Sequence, residues 1–69
     1  MRHYTVIIER GDHNYGAYAP DVPGCVATGC TVAETLAHFE EALGFHLDGL
    51  EADGLPIPEP HTTAHTVVV

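Results

Sequence analysis

The chain has 69 residues, with 10 Asp and Glu against 2 Lys and Arg, and a formal net charge of -8. A chain of this length holds a single domain, here residues 1–69, whose thin core buries only ~60% of the unfolded surface. With no Lys to neutralise phosphate, direct binding to nucleic acid or to an anionic membrane is excluded, and a cationic protein is the natural complement.

Apolar residues make up 45% and charged residues 17%, which excludes disorder. No apolar run reaches the ~18 residues of a membrane span. Met1-Arg2-His3-Tyr4 leads straight into an alternating pattern rather than a secretory leader, so the expected location is the cytoplasm. There, Cys25 and Cys30 would stay as thiols.

Residues 3–10 are β-branched and aromatic and predict a first strand. Tyr4, Val6 and Ile8 share the face assigned to the core; Thr5, Ile7 and Glu9 share the other. Gly11-Asp12-His13-Asn14 is a cluster of turn formers, and residues 15–19 predict a second strand closing a hairpin. Pro20-Asp21-Val22-Pro23-Gly24 makes a corner or bulge, since proline fixes φ and removes an amide donor. Residues 25–30 predict a third strand, with Ala27 and Gly29 small enough for another element to approach closely.

Thr31-Val32-Ala33-Glu34 is a capping box and starts a helix at Val32. Val32, Leu36, Phe39, Leu43, Leu47 and Leu50 form one apolar stripe. Gly54 is the expected C-cap residue and Pro56 stops the helix. A helix over residues 32–53 would be ~33 Å long and would outrun a six-residue strand of ~20 Å. Its second half, with Phe45, is then free to meet another chain.

Residues 55–60 carry Pro at every second position and predict an extended run near polyproline II. Ala64-His65-Thr66-Val67-Val68-Val69 predicts a fourth strand that should be paired. The expected fold class is α+β, in the order β-β-β-α-β, with one long helix on a four-stranded sheet and a right-handed crossover. One face of that sheet, with Thr5, Ile7 and Tyr18, is left to water or another molecule.

Six histidines raise the question of a metal. No two on the expected helix have the i, i+4 spacing of a zinc site, since His38 and His46 are eight apart. A mixed site of Glu34, His38 and His46 is conceivable, but an exposed polar helix face is the preferred reading. Cys25 and Cys30 sit five apart, which matches neither a redox pair nor a zinc ribbon, and small buried hydrophobes describe them better. Glu9, Asp12 and Asp21 lie near strand ends without a spacing that demands clustering, and no nucleophile elbow, P-loop or dinucleotide fingerprint is present. No catalytic, cofactor-binding or metal-binding residues are assigned. A small metal-dependent enzyme on His38, His46 or the strand-end acids is the third-ranked reading.

The chain resembles the HicB-family antitoxins. The resemblance rests on Tyr4-Thr5-Val6-Ile7-Ile8-Glu9, on Tyr15-Gly16-Ala17-Tyr18-Ala19-Pro20-Asp21-Val22-Pro23-Gly24-Cys25 and on Gly29-Cys30-Thr31-Val32-Ala33-Glu34-Thr35-Leu36. It continues through Glu40-Glu41-Ala42-Leu43 and the run from Gly54 to Pro60. It implies a truncated RNase H-like, two-layer fold without nuclease activity. It also implies a partner, a small basic HicA-type toxin that cleaves mRNA through a catalytic histidine, whose RNA-binding face the antitoxin masks. Many family members add a C-terminal DNA-binding domain; none is expected here, so no repressor role is carried over. Tyr18, Pro20, Asp21, Val22 and Pro23 are the expected partner interface. Ile7 and Phe45 are expected to support a homo-oligomer, a dimer or tetramer. The alternative is a stand-alone oligomeric binding protein of the same fold with a different partner or ligand.

Overall fold

The structure, a computed structural model, describes residues 2–69. Its elements in chain order are β1 (Ile7–Arg10), β2 (Tyr15–Ala19), β3 (Val22–Gly29) and α1 (Val32–Ala52). The strands form an antiparallel sheet in the order β1-β2-β3, and α1 lies on one face of it. This is a two-layer α+β arrangement.

β1 is shorter than its sequence pattern. Ile7 pairs with Tyr18, but the β2–β3 register shifts between Tyr18 and Ala19, and Pro20 then offers no donor. Residues 4–6 are therefore left without a ladder partner. Tyr4 and Val6 still rest against the core beside Ile8, as their alternation predicts. β3 reaches back through the corner to Val22, with Gly24 at φ +85°, a value that L side chains rarely adopt. Gly11 N–H donates to the Asn14 carbonyl at 2.7 Å and closes the β1–β2 connection.

α1 begins and ends on local chemistry. The Thr31 hydroxyl accepts from Glu34 N–H at 3.0 Å, and the Glu34 carboxylate accepts from Cys30 N–H at 3.2 Å. The reciprocal bond of the capping box thus falls one residue before the N-cap. At the other end Gly54 takes φ +70°, Gly54 N–H donates to the Glu51 carbonyl and Leu55 N–H to that of Leu50. These are the paired bonds of a Schellman motif, with Asp53 as the C-cap.

The contact line of α1 is set by Gly29. A Cβ there would lie 2.7 Å from the Thr35 hydroxyl oxygen and 2.8 Å from the Thr35 amide nitrogen. Thr35, rather than Leu36, is consequently the buried residue of the first turns, and its hydroxyl donates to the Thr31 carbonyl at 2.6 Å. Val32 and Leu36 stay exposed at the margin. The core is Ala17, Ala19, Val22, Cys25 and Phe39, with Tyr4, Val6, Ile8, Ala27, Ala42 and Leu43 around it. Phe39 is the one large side chain among the buried five, and its burial contributes about 1.5–3 kcal/mol. Past Leu43 the helix runs out of core, and Phe45 is 71% exposed.

The fourth strand is a correction. Among the described residues the sheet has three strands, and residues 55–69 join no ladder. Pro56, Pro58 and Pro60 lack amide donors, and the segment is held by side chains instead. The Tyr4 hydroxyl donates to the Pro58 carbonyl, and the Thr5 hydroxyl donates to the Thr62 carbonyl at 2.7 Å.

Candidate functional site

The sheet face turned away from α1 is built by strand alternation. Ile8, Ala17 and Ala27 are in register across the three strands and face the helix. One position along, Ile7, Tyr18 and Val26 are in register on the opposite face. Tyr18 is 39% exposed and Val26 is 70% exposed, with Ile7 half-buried beside them. Cross-strand neighbours of this kind touch one another, so the three make a continuous apolar row. Glu9, Gly16 and Thr28 form the next row and border it with a carboxylate and a hydroxyl.

The β2–β3 corner limits the row at one end. Pro20 and Pro23 are exposed there. Asp21 and Val22 are not: both are buried, so they shape the corner and have no free surface for a partner. Asp21 is the centre of a clamp that the sequence reading missed. Its carboxylate accepts from His61 N–H at 3.0 Å and Thr62 N–H at 2.9 Å, and also from the Thr62 hydroxyl. The His61 imidazole nitrogen lies 3.1 Å away. The Thr62 hydroxyl, ahead of the two amides and His61, holds the Asp21 carboxyl below its ordinary value of 3.8, against the opposing effect of burial. A lone acid between two prolines, followed forty residues later by His-Thr-Thr, was the available signal.

The other chemical candidates do not converge. His38 meets the Thr28 carbonyl at 2.7 Å, while Glu34 is engaged at the N-cap. Among the described residues no group of three or more His, Cys, Asp or Glu is placed to hold a metal ion. Asp12 lies in the β1–β2 connection and Asp21 at the opposite end of β2, so the strand-end acids stay apart. Cys25 is buried, which pushes its thiol up, and Cys30 is exposed; both are free. A polar hollow at the β1–β2 connection is lined by Arg10, His13, Tyr15 and Cys30. No helix of the described residues is long and apolar enough to cross a membrane.

The acids are distributed unevenly. Glu34, Glu40, Glu41, Asp48, Glu51 and Asp53 are exposed along or at the end of α1. The sheet face is therefore apolar at its centre, while the helix layer carries most of the negative charge. Such a molecule can attract a basic protein over a distance and hold it through a desolvated apolar patch.

Known proteins resemble this chain. Residues 4–68 match the family profile described as HicB_like antitoxin of bacterial toxin-antitoxin system. An uncharacterized 14.9 kDa protein from the rep-hol intergenic region of Haemophilus phage HP1 is 36% identical over 56 residues. That alignment takes in 81% of this chain but 42% of the phage protein, so the chain spans less than half the length of this relative. A UPF0150 protein of Helicobacter pylori is 39% identical over 51 residues, 74% of this chain and 71% of its own. A UPF0150 protein of Thermoplasma acidophilum is 32% identical over 65 residues, 93% of this chain and 94% of its own. Among solved structures, a chain of a HicA3 and HicB3 toxin-antitoxin complex superposes with a TM-score of 0.74 at 32% identity, covering 87% of this chain and 70% of that chain.

Proposed function

The chain belongs to the HicB-like antitoxins of bacterial toxin-antitoxin systems, and from that premise we propose that it binds and neutralises a small basic HicA-type mRNA-cleaving toxin by masking its RNA-binding and catalytic face. The observation that carries this reading is the likeness, over 87% of the chain, to a chain of a HicA3 and HicB3 complex. The net charge of -8 supports it, because an acidic surface competes with RNA for a basic one. Tyr18, Pro20 and Pro23, with Ile7 and Val26 beside them, supply the contact surface. Asp21 and Val22 act from beneath by fixing the corner. An exposed tyrosine flanked by apolar neighbours is the kind of residue that anchors a protein interface.

In this reading the chain is a cytoplasmic binding module over residues 1–69. It has no catalytic step and no cofactor, and it meets protein rather than nucleic acid or membrane. Self-association as a dimer or tetramer covers apolar surface that one copy leaves open, Phe45 in particular.

Co-purification with a tagged HicA-type toxin from the neighbouring reading frame tests the proposal. The expected result is a stable complex that Tyr18→Asp weakens at least tenfold. A neighbour that is not small and basic, together with no binding of any HicA-type toxin at micromolar concentration, would refute it.

A further inference from the structure

We infer, on the reading that Pro20 and Pro23 meet the toxin, that Thr62 is the residue that positions them: it buckles the β2–β3 corner to the residues ahead of β1 and so holds the corner in the shape it offers a partner. The sheet alone does not fix this end of the molecule. Tyr18 pairs with Val26 and Ala19 with Val22, so Pro23, Gly24 and Cys25 have no residue opposite them on β2. Pairing of β1 starts at Ile7, so residues 4–6 lie outside the ladder. Pro20 and Pro23 supply no amide donor.

Thr62 spans this gap with three polar groups. Its carbonyl accepts from the Thr5 hydroxyl at 2.7 Å, on the β1 side. Its amide donates to Asp21 Oδ2 at 2.9 Å and its hydroxyl donates to Asp21 Oδ1, on the corner side. The Asp21 side chain is 1% exposed, so water cannot replace a partner that is lost. The Tyr4 hydroxyl, which donates to the Pro58 carbonyl, secures the same segment four residues earlier. The corner and the lead of β1 are thus joined through a residue 41 positions from one and 57 from the other.

Asp21 lies between Pro20 and Val22, and Pro23 follows, so whatever holds its carboxylate also places the two exposed prolines. A corner fixed beforehand binds without the cost of ordering it at the contact. Thr62 acts on the partner through Asp21 and needs no contact with the partner itself.

The test compares Thr62→Val, which loses the hydroxyl at nearly constant shape, with Thr62→Ser, which keeps it, in the full chain. Thr5→Val is the second variant, since it cuts the β1 side and leaves every Asp21 bond in place. Two readouts are needed: backbone order at Asp21, Val22 and Gly24 from NMR relaxation, and affinity for a HicA-type toxin. Thr62→Val is expected to loosen the corner while the helicity of α1 stays unchanged. It should weaken toxin binding about tenfold, the scale of one hydrogen bond to a charged group. Thr62→Ser should restore both readouts, and Thr5→Val should loosen the corner in the same direction. Corner order unchanged in both valine variants overturns the inference, whether or not a toxin binds. So does a loosened corner that binds toxin as the wild type does, or a loss that serine fails to rescue. Melting of α1 together with the corner overturns it as well, because Thr62 would then hold the whole fold. A wild-type chain that binds no HicA-type toxin refutes the antitoxin reading instead, and corner order then decides the buckle by itself.

Discussion

Gly29→Ala should destabilise the fold through one close approach between β3 and α1. The added Cβ would lie 2.7 Å from the Thr35 hydroxyl oxygen, 2.8 Å from its amide nitrogen and 3.0 Å from its Cα. Two of those three atoms are helix backbone, so a side-chain rotation cannot clear the space. The first turn of α1 must move away from the sheet, and Phe39, one turn further on, would be dragged from its site. Overpacking of this kind costs about 1–3 kcal/mol. A domain of 69 residues has in total about 3–10 kcal/mol to lose. At about 4–8 °C per kcal/mol, the melting temperature should fall by roughly 4–24 °C. Thr35→Ala removes the hydroxyl but leaves the amide and Cα in place, so the double variant should not recover. Gly44→Ala is the control: nothing lies within 4 Å of a Cβ there, and the exchange should stabilise the helix by up to about 1 kcal/mol. Thermal melts of the four variants beside the wild-type chain decide it. Full recovery in the double variant, or a harmless Gly29→Ala, would refute the claim that backbone contact sets the helix position.

Phe39→Ala should cost about 3–5 kcal/mol and leave the chain largely unfolded at 37 °C, because no other large side chain is buried with it; a cooperative melt above that temperature would contradict this. Asp21→Asn should release the segment around His61 and Thr62 while α1 persists, read as lost amide protection at those two residues with unchanged helicity. Acid should do the same reversibly. The Asp21 carboxyl is held below its ordinary 3.8, so its contribution to stability is complete above that value and is lost as pH falls through the lower, folded-state value. Amide shifts of Thr62 that titrate above pH 5 would contradict the assignment. Toxin binding should slow as salt rises, since exposed acids steer through a field screened within about 10 Å at 0.1 M; an association rate indifferent to salt would remove the steering role of α1.

The sequence was most legible where structure is local. Thr31 and Glu34 lie three residues apart and identify the helix start, and Gly54 with Pro56 marks its end to within a residue. The alternation of Tyr4, Val6 and Ile8 revealed the core face because burial repeats every second residue in a strand. Small Ala27 and Gly29 indicated a close approach. What approached was hidden: the apolar stripe favoured Leu36, and only the packed pair shows that Gly29 demands Thr35. The Asp21 clamp was illegible for a different reason. Its partners lie 40 and 41 residues away, and a carboxylate among prolines looks the same whether it faces water or binds a distant backbone. The Tyr18 row was half visible. Tyr18 and Ile7 fell on the open face by alternation, but Val26 joined them only once the shift between Tyr18 and Ala19 fixed the register. The expected fourth strand rested on β-branched composition, which states a preference for pairing without naming the partner edge.

The most direct test of the central claim is to titrate this chain into a HicA-type toxin while following mRNA cleavage. The account predicts that cleavage stops at a fixed stoichiometry. It also predicts that Tyr18→Asp shifts that endpoint to higher concentration while its melting temperature stays close to wild type. Cleavage that continues at saturating concentrations of the folded chain would contradict it.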